Sequence, residues 1–214
     1  NRDEIEHTRK VMGGEDWKLW TKLLLRENLL ADGCMNLAYS YIGPEVTQPI
    51  YRNGTIGKAK EDLENSASEI TELMQKHCRG KAFVSVNKAV VTQASSAIPV
   101  VPLYVSLLFK IMREQGTHEG CIEQIIRMFN ERLYTENGTV PVDDEGRIRL
   151  DDWEMDPIIQ EKVIQAWGSI TTENLFETTN FKEYQEEFLK LFGFGFEEVD
   201  YNQEVDLINP FESC

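Results

Sequence analysis

The stretch that decides the fold runs from residue 35 to residue 86, where MNLAYSYI (35–42) precedes TIGKAKEDLENSASEITELMQKHC (55–78) and AFVSV (82–86). The first segment predicts a strand, and Gly43 and Pro44 mark its end. The second predicts a long helix with Thr55 as its N-cap and an apolar stripe formed by Leu63, Ala67, Ile70 and Met74. The third, dense in Phe and Val, predicts a strand buried on both faces. Strand, helix and strand in this order predict a βαβ unit and an α/β fold with a parallel sheet.

Further helices are predicted outside this unit from apolar residues at three- and four-residue steps. They cover residues 15–30, 98–112, 117–134, 157–167 and 181–192. Residues 98–112 are apolar almost all round, which predicts either a deeply buried helix or a helix that lines an apolar ligand channel. Residues 139–142 and 147–150 flank Asp-Asp-Glu-Gly (143–146), and this pattern predicts a small β-hairpin.

Charge and cysteine usage narrow the classes of function. The net charge of −15, from 37 acidic against 22 basic residues, argues against a nucleic-acid partner and against general attraction to anionic membranes. No run of about 20 apolar residues predicts a membrane span. The four cysteines, Cys34, Cys78, Cys121 and Cys214, are scattered without a Cys-x-x-Cys pair. A reduced, intracellular protein is therefore expected, and the cytoplasm is its expected location.

Tyr51 and Lys60 form the candidate catalytic pair. On one continuous helix, nine steps of about 100° would place them on opposite faces, so the pair requires Tyr51 to lie before the helix that carries Lys60. Pro49 and the Asn53-Gly54 turn signal favour that arrangement. A nearby ammonium is expected to lower the pKa of the phenol, which would make Tyr51 a better proton donor to a developing oxyanion. Tyr and Lys at this spacing are common, so the spacing alone does not establish a site.

Other patterns do not predict sites. The acidic turn at 143–146 lacks calcium-loop ligands, because Pro141 stands at the first ligand position and Asp152 at the last. The three histidines show no metal-ligand spacing, so no metal is expected. Ser95 and Ser96 have no neighbouring His and Asp that would predict a nucleophile.

Several longer motifs surround the Tyr–Lys pair. YSYIGPE (39–45) and PIYRNGTIGKAK (49–60) closely resemble the trans-2-enoyl-CoA and enoyl-ACP reductases, which carry a Tyr-x8-Lys motif. Further matching segments occur in the same order: VMGGEDW (11–17), FVSVNK (83–88), VTQAS (91–95), IPVVPLY (98–104) and HEGCIEQ (118–124). The resemblance covers roughly residues 10 to 155.

The resemblance implies an enlarged relative of the short-chain dehydrogenases, with the C-terminal part of a Rossmann-like parallel sheet. It implies reduction of the C2–C3 double bond of trans-2-enoyl thioesters of CoA or acyl carrier protein, with NADH as cofactor, in fatty acid synthesis. Tyr51 would then donate a proton and stabilise an enolate, Lys60 would hold the cofactor ribose, and Tyr41 would contact the acyl substrate. Ala89, Val90, Val91 and Thr92 would lie along the cofactor. The helix at 98–112 would bind substrate.

The sequence departs from the family in one respect, because it contains no G-x-G-x-x-G turn for the cofactor pyrophosphate. Residues 1–214 are therefore expected to form the C-terminal half of an enoyl reductase. The partner would be the N-terminal half of the same enzyme, which carries the glycine-rich turn. The alternative is a non-catalytic, truncated homologue that acts as a binding or scaffolding domain. Copurification of a companion polypeptide, or a longer native protein, would favour the enzyme.

Overall fold

A computed structural model describes residues 2–204. The three strands are β1 (Met35–Ser40), β2 (Lys81–Val86) and β3 (Ile148–Arg149). The helices, in chain order, are α1 (Arg2–Met12), α2 (Glu15–Arg26), α3 (Gln48–Tyr51), α4 (Thr55–Cys78), α5 (Gln93–Ser96), α6 (Val101–Gln115), α7 (Cys121–Met128), α8 (Pro157–Trp167), α9 (Leu175–Thr178) and α10 (Phe181–Lys190). A 3-10 turn covers Glu45–Thr47, and a π-helix covers Phe129–Leu133.

The predicted βαβ unit is confirmed. β1 and β2 pair in parallel, from Met35 opposite Lys81 to Ser40 opposite Val86, and α4 connects them. Ile70 and Met74 of α4 are buried together with Ala82 of β2, as the predicted apolar stripe requires. The α/β class with a parallel sheet is therefore correct.

The predicted hairpin is wrong. Residues 139–142 form no strand, whereas Ile148 and Arg149 join the sheet in parallel with Ser85 and Val86 of β2. Ile148 is fully buried with Leu150, Met128 and Leu133. Addition to the main sheet buries these apolar side chains, which a small isolated hairpin would leave in contact with water.

The helix predicted at residues 98–112 is a buried helix, α6. Tyr104, Leu108 and Met112 have no exposed surface, and they pack in the cluster that also contains Tyr51. The N-terminal turn of α6 also lines an apolar groove.

Several predicted boundaries differ from the structure. Residues 48–51 form the short helix α3, and Thr55, which was predicted to be the N-cap of α4, is instead its first helical residue, with Gly54 at the N-cap position. The helix predicted at 117–134 is divided into α7 and the π-helix, and α1 was not predicted. None of the helices within residues 2–204 is long and apolar enough to cross a membrane. Cys34, Cys78 and Cys121 are free, and Cys214 lies outside the described residues.

Candidate active site

The candidate site lies at the carboxyl ends of β1 and β2. Ser40 and Val86 end these strands in register, and the Asn87 N–H donates a 2.8 Å hydrogen bond to the Ser40 carbonyl oxygen. Tyr41 directly follows β1, and the segment 89–92 follows β2. Parallel strands end at one edge of their sheet, so residues 50 positions apart in sequence meet there. Ligands of open α/β sheets bind at this kind of edge.

Tyr51 is the last residue of α3 and is only 7% exposed. Its ring meets that of Tyr41 edge to face, with a centroid distance of 4.9 Å and an interplanar angle of 83°. The chain turns sharply from α3 into α4, and Gly57 makes this possible. A Cβ at position 57 would lie 2.0 Å from the Arg52 carbonyl oxygen. The absence of a side chain at residue 57 therefore lets the end of α3 lie close to the first turns of α4.

Lys60 projects from the second turn of α4 toward the same place. Its Nζ lies 5.7 Å from the centroid of the Tyr51 ring and donates a 3.0 Å hydrogen bond to the Ser40 Oγ. Tyr51 thus precedes the helix that carries Lys60, and the two side chains meet, as the sequence-based geometry requires. An ammonium has three N–H donors. Among the residues that the structure describes, Ser40 accepts a hydrogen bond from one of them. The other donors can bind the hydroxyls of a ribose.

The expected direction of the Tyr51 pKa is wrong. Burial, together with the nearby groups Glu154 and Tyr184, raises the pKa of Tyr51 to about 12. The Lys60 ammonium lies over the Tyr51 ring and donates its hydrogen bond to Ser40. Burial also lowers the pKa of Lys60 to about 8; the Glu64 carboxylate opposes this effect and Arg52 adds to it. At neutral pH the site therefore contains a protonated phenol beside an ammonium.

The segment 89–92 lies partly in the core cluster that contains Tyr51. Ala89 and Val91 are buried in this cluster, whereas Val90 is half-buried and Thr92 is exposed. The side chain of Thr92 caps α5 by accepting a 3.0 Å hydrogen bond from the Ser95 N–H, and the Ser95 Oγ accepts one of 3.0 Å from the Thr92 N–H. This reciprocal cap fixes the backbone of the segment at the site.

Sequence reasoning missed Glu154, which has no exposed surface. Its carboxyl group accepts hydrogen bonds from the hydroxyls of Tyr41 and Tyr104 and from the backbone N–H of Ala89. Tyr41 and Glu154 are 113 positions apart, so no local pattern links them. Lys88, also missed, is 1% exposed and donates from Nζ to the Ala89 carbonyl oxygen at 2.9 Å.

An apolar groove of about 570 Å³ opens at the N-terminal end of α6. One wall comes from residues 96–103, between α5 and the first turn of α6, and includes Ile98 and Leu103. The other wall comes from residues 170–181 and includes Ile170 and Phe181. Tyr41, Tyr51 and Lys60 do not line the groove, but Ile98, Ile170 and Phe181 pack against the same core cluster as Tyr51.

Models of known protein families match most of the chain. Residues 1–134 match the family described as "Trans-2-enoyl-CoA reductase catalytic region", and residues 142–205 match "Enoyl reductase FAD binding domain". The four glycines of that second region, Gly146, Gly168, Gly193 and Gly195, do not form a G-x-G-x-x-G turn, so this region does not fit the diphosphate of a flavin.

The curated relatives are full-length reductases. The chain is 58% identical over 205 residues to a trans-2-enoyl-CoA reductase [NADH] of Clostridium perfringens strain SM101, covering 96% of the chain and 52% of the relative. It is 56% identical over 214 residues to an enoyl-[acyl-carrier-protein] reductase [NADH] of Flavobacterium johnsoniae, covering 100% and 53%. The chain thus spans about half the length of the curated relatives it matches.

Solved structures show the same relationship. The Clostridium acetobutulicum trans-2-enoyl-CoA reductase in complex with NAD superposes with a TM-score of 0.91 at 49% identity, covering 96% of this chain and 53% of that one. The Treponema denticola trans-2-enoyl-CoA reductase in complex with NAD gives 0.89 at 53% identity, covering 96% and 51%.

Proposed function

The chain belongs to the trans-2-enoyl-CoA and enoyl-ACP reductase family, and from this membership we propose that the protein reduces the C2–C3 double bond of trans-2-enoyl thioesters with NADH, in fatty acid synthesis. The observation that carries the proposal is the meeting of Tyr51, Lys60 and Tyr41 at the carboxyl edge of the parallel sheet. When bound, the nicotinamide supplies a hydride to C3 of the substrate. The residues of this chain would bind the reactants and donate the proton.

Tyr51 is the proposed proton donor. Hydride addition at C3 moves negative charge onto the thioester oxygen, and a buried phenol can stabilise that charge by donating a hydrogen bond. A pKa of about 12 keeps Tyr51 protonated throughout the neutral range, so its hydroxyl is available as a hydrogen-bond donor to the thioester oxygen. Once negative charge has formed on the substrate, this hydroxyl would supply the proton that C2 takes up, and the phenolate would regain a proton from solvent after product release. Its burial also keeps water from competing for the developing charge.

Lys60 is the proposed ribose ligand. Its ammonium is anchored by Ser40 and retains donors that point away from that bond, which suits charge-assisted hydrogen bonds to two ribose hydroxyls. Ala89, Val90, Val91 and Thr92 would lie along the cofactor from the nicotinamide to the pyrophosphate. The reciprocal cap between Thr92 and Ser95 supports this role because it holds the segment in one conformation.

Tyr41 and the apolar groove are proposed to bind the acyl thioester. The Tyr41 hydroxyl is already bonded to Glu154, so the face of its ring is the part that remains for contact with the acyl group. The groove walls near Ile98, Leu103 and Phe181 are apolar, as a fatty acyl chain requires. Pro102 and Leu103, at the start of α6, would therefore serve as the substrate-binding part of that helix, whereas Tyr104 does not line the groove.

Residues 1–214 are proposed to be the C-terminal half of the enzyme, with the N-terminal half supplying the glycine-rich turn for the pyrophosphate. The edge of β1 that does not pair with β2 supports the proposal of a separate N-terminal half. β1 pairs with β2 alone among the described strands, and Tyr39 on β1 is 57% exposed. An open edge of this kind accepts a further parallel strand. The three free cysteines among the described residues support a reducing, cytoplasmic location.

The test uses the full-length protein that contains this chain, with crotonyl-CoA or crotonyl-ACP as substrate. We expect NADH oxidation at 340 nm to depend on the thioester and mass spectrometry to detect the saturated product. Tyr51→Phe removes only the hydroxyl and should lower kcat by about 100-fold or more. Tyr134→Phe, which removes an exposed phenol outside the candidate site, is the control and should leave kcat unchanged. A wild-type protein without thioester-dependent NADH oxidation, or an unchanged kcat in Tyr51→Phe, would refute the proposal.

A further inference from the structure

Glu154 brings three hydrogen-bond donors together at one buried carboxyl group. Its Oε1 accepts from the Tyr41 hydroxyl at 2.8 Å and from the Tyr104 hydroxyl at 2.6 Å, and its Oε2 accepts from the Ala89 N–H at 2.7 Å. Gln160 in turn donates from Nε2 to the Glu154 carbonyl oxygen at 2.7 Å. Three converging donors match the acceptor-only character of a carboxylate.

A carboxylate in this position has a substantial desolvation cost. Glu154 has no exposed surface, and the salt bridges found among the described residues do not include it. Lys88 contributes a favourable charge from nearby but donates its hydrogen bond to the Ala89 carbonyl oxygen instead. Replacement of buried ion pairs by apolar residues of similar volume is often neutral or stabilising, so a buried charge is weak evidence of a stabilising role. The geometry that Glu154 imposes is therefore a better explanation of its presence than its contribution to stability.

Two of the three donors belong to the candidate active site. The Tyr41 and Tyr51 rings form a T-shaped pair with a centroid distance of 4.9 Å, and Ala89 begins the segment proposed to lie along the cofactor. The two oxygens of one carboxyl group thus connect the residue after β1 to the segment after β2. A side chain that bonds to both loops determines the distance between them.

We infer that Glu154 is a positioning residue for the reduction: its carboxylate holds Tyr41 against Tyr51 and holds the segment 89–92 at a fixed distance from both. The inference rests on the proposed function for its kinetic consequence. Glu154 touches neither substrate nor cofactor, and it acts through Tyr41 and Ala89. A Gln at this position keeps the volume but places an NH2 group where one of the three donors requires an acceptor.

The matched variants are Glu154→Gln and Tyr104→Phe in the full-length protein. Tyr104→Phe removes one donor from the same Oε1 in the same buried place but leaves the Tyr41 and Ala89 bonds intact. We expect Glu154→Gln to lower kcat roughly 10- to 100-fold, as for loss of a hydrogen bond to a charged group, while Tyr104→Phe changes kcat less than about threefold. Thermal unfolding of both variants measures the structural cost separately.

Action through Tyr41 is tested by a double-mutant cycle with Tyr41→Phe. If Glu154 works through the Tyr41 hydroxyl, the double variant should lose at least about fivefold less kcat than the product of the two single losses, because both changes break the same bond. A crystal structure of Glu154→Gln should show the Tyr41 and Tyr51 rings displaced from their 4.9 Å contact.

The outcomes separate the inference from the proposed function. If wild-type protein does not reduce the thioester, the proposed function fails, and the crystal structure of the variant still decides the positioning role. Wild-type kcat in Glu154→Gln, an equal loss in Tyr104→Phe, fully multiplicative losses in the cycle, or an unmoved Tyr41 ring would each overturn the inference.

Discussion

Replacement of Lys60 by Met is expected to stabilise the protein while it removes the proposed ribose ligand. The Lys60 ammonium lies against the Tyr51 ring. Little offsets the cost of burying its charge, because its hydrogen bond is to the neutral Ser40 hydroxyl. Burial lowers its pKa from 10.5 to about 8, which means that the folded state holds this proton less favourably than the unfolded chain does. Met keeps much of the length of the side chain and removes the charge.

The pKa shift sets the magnitude. Each unit corresponds to about 1.4 kcal/mol, so the buried charge of Lys60 destabilises the folded state by about 3 kcal/mol at pH 7, where both states are protonated. Loss of the bond to Ser40 offsets about 1 kcal/mol of the gain. Lys60→Met should therefore raise the free energy of unfolding by about 2 kcal/mol at pH 7.

The sign of the pH dependence follows from linkage. Between the folded pKa of about 8 and the unfolded value of 10.5, the unfolded state binds more protons than the folded state, so the destabilisation by Lys60 fades as pH rises. At pH 9.5 about 1 kcal/mol of the destabilisation by Lys60 remains. The loss of the hydrogen bond to Ser40 in Lys60→Met cancels the gain from removing this remainder. The advantage of Lys60→Met should thus fall from about 2 kcal/mol at pH 7 to near zero at pH 9.5.

Urea unfolding of the full-length protein at pH 7 and pH 9.5 measures both values. Lys58→Met is the matched control, because Lys58 lies in the same part of α4 but is exposed and pairs with Glu61 at 2.8 Å. Its replacement should change the unfolding free energy little and equally at both pH values. A Lys60→Met protein that is less stable than wild type at pH 7, or whose advantage is the same at both pH values, would refute the reasoning.

Three further results are expected of the full-length protein. Gly57→Ala should lower kcat roughly 10- to 100-fold, because its Cβ would lie 2.0 Å from the Arg52 carbonyl oxygen and displace the turn before α4. Gly168→Ala meets nothing within 4 Å, so steady-state assays should show no such loss. Met74→Ala, at a fully buried position, should cost about 2–5 kcal/mol in urea unfolding while kcat is retained; a smaller cost would contradict its role in the core. The KM for NADH should rise above pH 8 in wild type as the amine of Lys60 loses its proton, and should stay flat in Lys60→Arg, whose charge persists; equal profiles would exclude Lys60 as the ribose ligand.

Local signals were enough to predict the core of the fold and the candidate pair. The βαβ unit follows from apolar periodicity within 52 consecutive residues, and β1, α4 and β2 lie close to the predicted positions. Tyr51 and Lys60 are nine positions apart, so Pro49 and the Asn53-Gly54 turn were sufficient to indicate that the phenol precedes the helix. Interactions over such short separations depend mainly on backbone preferences that each residue carries by itself.

Long-range packing decided the rest. The strand at Ile148 pairs with β2 and not with residues 139–142, because Ile148 can be buried against Met128 only in the assembled sheet. The pKa of Tyr51 rises instead of falling because of burial and the charge of Glu154, and the Lys60 ammonium donates its hydrogen bond to Ser40. The amino-acid order by itself determined which residues could form the site, through local turns and helix starts. Only the tertiary structure decided its electrostatics, since desolvation and the position of Glu154 depend on which distant segments surround the phenol.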